Sequence, residues 1–114
     1  MMDIKTILDN LVFSLKASDP YRVILFGSYA NGNHDENSDL DLMVILDNHH
    51  VSKTYEERLN KKLFVRNLVL EMNRKLSIDI LVYSKEELNI LKRNGNYFIE
   101  DIEKTGKIIY EKTS

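Results

Sequence analysis

Ten residues separate Gly27 and Ser28 from Asp39, Leu40 and Asp41. This spacing joins a turn that can approach phosphate to a pair of carboxylates that can hold a metal ion. Side chains two apart on a strand share a face. Asp39 and Asp41 therefore point the same way, their Cα atoms about 6.6 Å apart, while Leu40 and Leu42 point into the core. Oxygens brought to about 5 Å at an effective dielectric of about 20 repel by roughly 3 kcal/mol, and a divalent cation reverses that sign. Magnesium suits such a site: it takes carboxylate and phosphate oxygens, keeps several waters, and needs only one or two protein carboxylates.

Asp79 stands in the run Ser77, Ile78, Asp79, Ile80, Leu81, Val82. An unpaired carboxylate buried in an apolar strand costs several kcal/mol unless a cation or donors meet it, so a neighbouring strand is expected to bring Asp79 beside the pair. Three carboxylates around two magnesium ions let one ion polarise an attacking hydroxyl while the other binds a triphosphate and the leaving pyrophosphate. Asp79 is placed to serve the hydroxyl. Gly27 ends a strand without a Cβ, so backbone amides and the Ser28 hydroxyl can approach the β- and γ-phosphates, helped by a short helix starting at Ser28.

The elements that must position these groups are legible in the apolar periodicity. Ile4, Ile7, Leu8, Leu11, Val12 and Leu15 predict an amphipathic helix stopped by Ser18, Asp19 and Pro20. Residues 21–26 and 40–46 predict buried strands, with a polar stretch over 31–38 between them. Val65, Leu68, Val69, Met72 and Leu76 predict one long helix over 55–76, followed by a third strand over 78–83. Ser84 and Glu87 have capping-box spacing, Asn94 and Gly95 form a helix stop, Phe98, Ile99 and Ile102 mark a further short helix, and Gly106 opens a last strand through Tyr110. The expected class is α/β (α+β): a small mixed sheet with helices packed on it, in one domain spanning 1–114.

Composition bounds the chemistry. The 114 residues are 43% hydrophobic and 30% charged, with one proline and four glycines, the profile of a compact folded chain with little room for a second, acceptor-binding module. A net charge of -2 supplies no global positive field, so strong nucleic-acid binding is not expected. The absence of cysteine excludes disulfides, thiolate metal sites and cysteine nucleophiles. With no membrane-length apolar run and no signal-like start, the expected location is the cytoplasm, with no membrane partner.

The segments VILFGSYANG from Val23, SDLDLMV from Ser38 and SIDILVYSKEEL from Ser77 resemble the minimal nucleotidyltransferase (MNT) branch of the polymerase β superfamily. The likeness extends to the preceding helix with Asp19 and Pro20, and to the ending with Phe98, Ile99, Gly106, Tyr110 and Glu111. It implies a nucleotidyltransferase fold using ATP, with Gly27 and Ser28 on the triphosphate, Asp39 and Asp41 on magnesium, and Asp79 as third ligand or base. It also implies a partner, an all-helical HEPN-type ribonuclease toxin. The chain would be its antitoxin, transferring AMP onto a hydroxyl of that protein. Asn31 stands where many relatives carry a basic residue. The alternatives are a catalytically weak or inactive module that neutralises its partner by contact, and nucleotidyl transfer to a small molecule or an RNA end.

Other candidates have plainer readings. Arg58, Lys62 and Arg66 recur every four residues and read as a solvated helix face. His34, His49 and His50 lack ligand spacing and read as surface residues. At least one ring of Tyr97 and Phe98 is expected in the core with Ile102.

Overall fold

The computed structural model describes residues 3–113. Helix α1, Ile4–Leu15, starts at Asp3, whose carboxylate accepts a hydrogen bond from the Thr6 amide at 2.8 Å. Its buried stripe holds Leu11 and Leu15. A 3-10 turn over Lys16–Ser18 stops the helix, and Asp19, left-handed at φ 52°, redirects the chain into strand β1, Pro20–Phe26. There follow α2 (Ser28–Asn31), β2 (Leu40–Leu46), α3 (Tyr55–Leu68), α4 (Leu70–Asn73), β3 (Ile78–Ser84), α5 (Lys85–Arg93), α6 (Tyr97–Thr105) and β4 (Lys107–Glu111).

The strands form one mixed sheet in the order β3-β2-β1-β4. β1 runs antiparallel to β2 and β4, and β2 runs parallel to β3. A parallel pair needs a crossover, which α3 and α4 provide. Helices cover both faces of the sheet, so β2 is apolar throughout its interior instead of alternating. Leu40, Leu42, Val44 and Leu46 join the cluster with α1 and α3, containing Leu11, Leu15, Val65 and Val69. Met43 and Ile45 point the other way and join Leu88, Ile99 and Ile102 of α5 and α6. The small mixed sheet with packed helices is as expected.

Capping residues fix the helix starts. Thr54 and Glu57 make a capping box at α3, and Ser84 and Glu87 make the one expected at α5. The single helix expected over 55–76 is interrupted. Val69, at φ −115° and ψ 15°, separates α3 from the one-turn α4. β-branched Val69 is buried at the break, where its stiff side chain favours packing over helical backbone. After the break, the Asn73 side chain accepts the Ile78 amide at 2.7 Å.

The aromatic pair also departs from expectation. Ile99 and Ile102 supply the buried positions of α6, while Tyr97 is 86% exposed and Phe98 53% exposed. Phe98 meets Phe26 edge-on at 5.9 Å between ring centroids. Among the described residues no helix is long and apolar enough to cross a membrane.

Candidate active site

Five candidate residues converge on one end of the sheet, where β1 finishes and β2 and β3 begin. Gly27 follows β1 with φ 73° and ψ −153°, a backbone state open essentially only to glycine. A Cβ at Gly27 would overlap the Asp41 carboxylate. The missing side chain thus does two things: it permits the turn, and it lets an acid pack directly against it. The Gly27 carbonyl accepts from the Ala30 and Asn31 amides at 3.0 and 3.3 Å. The amides of Ser28 and Tyr29 precede the first bond of this turn and remain available as donors. One turn carries little dipole, so these amides and the Ser28 hydroxyl are the useful groups.

The loop before β2 is braced by its own side chains. Asp35 accepts from the Asn37 amide at 2.8 Å and the Ser38 hydroxyl at 3.3 Å, and Ser38 accepts from the Asp35 amide at 2.9 Å. His34, exposed as expected, stacks on Tyr29 with centroids 4.1 Å apart. The loop delivers an exposed Asp39 to the strand start, where the Leu40 amide donates to the Ser77 carbonyl at 2.9 Å.

Register does the rest. Asp41 is the Cα partner of Phe26 across the antiparallel pair and of Asp79 across the parallel pair. Opposed residues share a sheet face, so Phe26, Asp41 and Asp79 form a row across three strands. The neighbouring strand indeed carries Asp79 to Asp41. The expected burial of Asp79 is not observed: it is exposed, because the face it shares with Asp41 runs past the end of the α5–α6 cluster. The cost of a buried charge therefore does not fall on it.

That cost falls in part on Asp41, which is half-buried. Burial, then the charge of Asp79, then that of Asp39, push its carboxyl above the usual range. Among the described residues no cation pairs with Asp39, Asp41 or Asp79. A divalent cation fits this donor set, since it removes the repulsion that lifts Asp41. The acids are nonetheless not gathered into a cage: among the described residues no three acidic, histidine or cysteine side chains are disposed to enclose a metal ion. Like charges with no counterion hold their side chains apart.

Other sequence candidates fall elsewhere. His49 and His50 are exposed, as expected. Asn31 ends α2, and its side-chain oxygen accepts from the Asn33 amide at 3.2 Å. Arg58 is more engaged than a solvated face implies, lying 5.8 Å from the Tyr83 ring centre and 4.0 Å from Glu87. Sequence reading did not single out Phe26, which flanks Asp41. Only the β1–β2 register identifies it.

The family model for polymerase beta nucleotidyltransferases matches residues 10–114. A curated protein of Methanocaldococcus jannaschii, named "Putative protein adenylyltransferase", is 32% identical over 112 residues, which is 96% of this chain and 73% of that protein. Two solved structures share the fold. A toxin-antitoxin with AMP-PNP has a TM-score of 0.61 at 16% identity, covering 93% of this chain and 74% of that one. A "putative nucleotidyltransferase" from Sulfolobus solfataricus has a TM-score of 0.55 at 17% identity, covering 92% and 78%.

Proposed function

The chain belongs to the polymerase beta nucleotidyltransferase family, resembling its MNT toxin-antitoxin members, and from that premise we propose that it transfers AMP from ATP to a hydroxyl of a partner protein. In this reading residues 1–114 act as one catalytic domain in the cytoplasm, as antitoxin to a HEPN-type ribonuclease toxin. The observation that carries the proposal is the packing of the Asp41 carboxylate against the Cβ-less Gly27, with Asp79 in register beside it. A phosphate-approaching turn and a cluster of acids then share one small volume.

Each residue has a role. The Ser28 hydroxyl and the first amides of α2 hold the β- and γ-phosphates. Asp39 and Asp41, with Asp79 as third ligand, would hold magnesium, which supplies the positive charge that offsets the triphosphate and the acids when bound. Asp79, exposed and next to Asp41, takes the proton of the incoming hydroxyl. The hydroxyl oxygen bonds to the α-phosphorus as the bond to the bridging oxygen breaks, and pyrophosphate leaves with that electron pair.

The adenylyltransferase name of the M. jannaschii relative supports a protein acceptor, and the AMP-PNP in the toxin-antitoxin structure supports an adenine nucleotide. A second reading is a contact-only antitoxin. It is favoured by Asn31, whose side chain is engaged within its own loop in place of a basic group aimed at phosphate. The two separate when the chain is mixed with its helical partner, magnesium and ATP labelled at the α-phosphate. Label on the partner, lost in Asp41→Asn, is expected. Unlabelled partner that is still neutralised, by Asp41→Asn as by wild type, removes the enzymatic claim.

A further inference from the structure

The row of side chains that carries Asp79 and Asp41 across the sheet ends on an aromatic ring. Phe26 is the Cα partner of Asp41 on β1, shares its face, and is only partly buried. Phe98, in the first turn of α6, meets it edge-on, with the ring planes at 85° and the centroids 5.9 Å apart. An edge-on contact occupies at most one face of either ring. Phe98 stays 53% exposed, so the pair presents an aromatic face to solvent on the side of the acids.

Its position suits one part of the donor nucleotide. Neighbouring strands lie about 4.8 Å apart, which with the ring contact places Phe98 on the order of 10 Å from Asp41. A nucleoside reaches that far from its α-phosphate. Phe26 is followed directly by Gly27 and Ser28, so phosphates held at that turn begin beside the ledge. In-line transfer sets the acceptor opposite the leaving pyrophosphate, and the nucleoside must leave the α-phosphorus in a third direction. Asp79 serves the acceptor and Asp41 the metal, which leaves the aromatic end of the row for the nucleoside. A cavity of about 460 Å³ lined by Ile7, Tyr29, Met72, Leu76 and Ile78 lies with the α1 cluster on the opposite face, out of line with the acids.

We infer that Phe98, backed by Phe26, seats the purine base of the donor nucleotide. The inference rests on the reading of the chain as a nucleotidyl-transferring enzyme and adds a base subsite to it. A base is uncharged, so the unanswered acids do not repel it. Stacking takes any base because each has a π face, and it favours the larger ring. A phenyl ring has no donor or acceptor to read a base edge. The ledge therefore selects purine from pyrimidine without telling adenine from guanine.

The test uses the full chain with magnesium and ATP, GTP, CTP or inorganic tripolyphosphate. The protein has no tryptophan, so the indole of Phe98→Trp is a single reporter at the ledge. ATP and GTP should quench its emission, and should bind the wild type about tenfold more tightly than CTP does, whereas tripolyphosphate should bind without quenching. Phe98→Ala should weaken ATP about tenfold and leave tripolyphosphate unchanged, which also shows that the variant is folded. Equal ATP affinity in Phe98→Ala and the wild type, or equal quenching by ATP and tripolyphosphate, overturns the inference. So does a raised KM for the partner protein in Phe98→Ala with ATP binding unaltered, because the ledge then belongs to the acceptor. If ATP quenches the indole but no label reaches the partner, the subsite stands and the transfer reading falls. If label reaches the partner while the ledge is indifferent to nucleotide, the subsite falls and the transfer reading stands. If neither ATP nor tripolyphosphate binds the wild type, both fall.

Discussion

The two ends of the sheet hold acids under opposite conditions. Where β2 and β3 finish, Asp47, Asp19 and Glu87 each meet a lysine. Asp47 accepts from Lys85 at 2.8 Å and from Lys112 at 2.7 Å, and Lys112 also reaches Asp19 at 3.0 Å. Glu87, 4% exposed, accepts from Lys61 at 2.7 Å and from the Ser52 and Ser84 amides, both at 2.9 Å. At the end where β2 and β3 begin, Asp39, Asp41 and Asp79 lie near enough for their charges to act on one another, and among the described residues no cation pairs with them. The titration behaviour divides accordingly. Burial pushes Glu87 up, yet the bonds from Lys61, Ser84 and Ser52 together hold it at about 2. Hydrogen bonds from Lys112 and Lys85 hold Asp47 at about 2, whereas Asp41 is raised. The same residue type stabilises the fold at one end and works against it at the other, a difference that fits the proposed role of the second group in holding a cation.

The sharpest test of this contrast is Asp41→Asn. Nucleotidyl transfer should fall at least about a thousandfold, while the melting temperature of the metal-free protein stays level or rises, because a repelled charge has been removed. A clear drop in melting temperature would make Asp41 structural and erase the distinction between the ends. Glu87→Gln should behave inversely. It leaves Lys61, only 9% exposed, without its partner, and should lower unfolding free energy by about 2–4 kcal/mol in urea titrations while the nucleotide site of the folded fraction is unaffected.

Gly27→Ala probes the acid end through its backbone. Forcing an alanine to φ 73° and ψ −153° against a carboxylate should cost about 2–3 kcal/mol. Part of that loss should return when Asp41→Ala is added, since the new Cβ then meets no carboxylate. Strict additivity of the two losses would mean that the residues do not touch.

The smallest expected effect is on pH dependence. Glu87 titrates at about 2 in the fold, against an ordinary value of 4.5. Its stabilisation is complete above about 4.5 and is lost as pH falls towards 2. Asp41 has the opposite sign: the fold binds its proton more tightly than the unfolded chain does, so stability declines as pH rises through its titration. Urea midpoints across pH should show both slopes. Glu87→Gln should flatten the acid limb, and Asp41→Asn should remove the decline above it.

Much of this molecule was legible in its sequence where the signal is local. The strand at residues 40–46 is apolar at successive positions because both of its faces are covered, and its bounds agree with those read from the sequence. The Ser84 and Glu87 capping box lies within four consecutive residues and forms as its spacing implies. The break at Val69 was not legible, because an apolar repeat continues in sequence on either side of a change in backbone direction. Nor was the lysine pairing of Glu87 and Asp47, whose partners lie 26 to 65 residues away along the chain.

The sequence by itself determined that Asp39 and Asp41 share a face, that a glycine turn precedes them, and that a third acid stands in an apolar strand, because pleat and period are properties of a few neighbouring residues. Only the tertiary structure decided that Asp79 pairs with Asp41 in register, that it meets solvent, and that its strand is the last of the sheet. Register and strand order depend on which distant segments bury their side chains together, and no local spacing contains that choice.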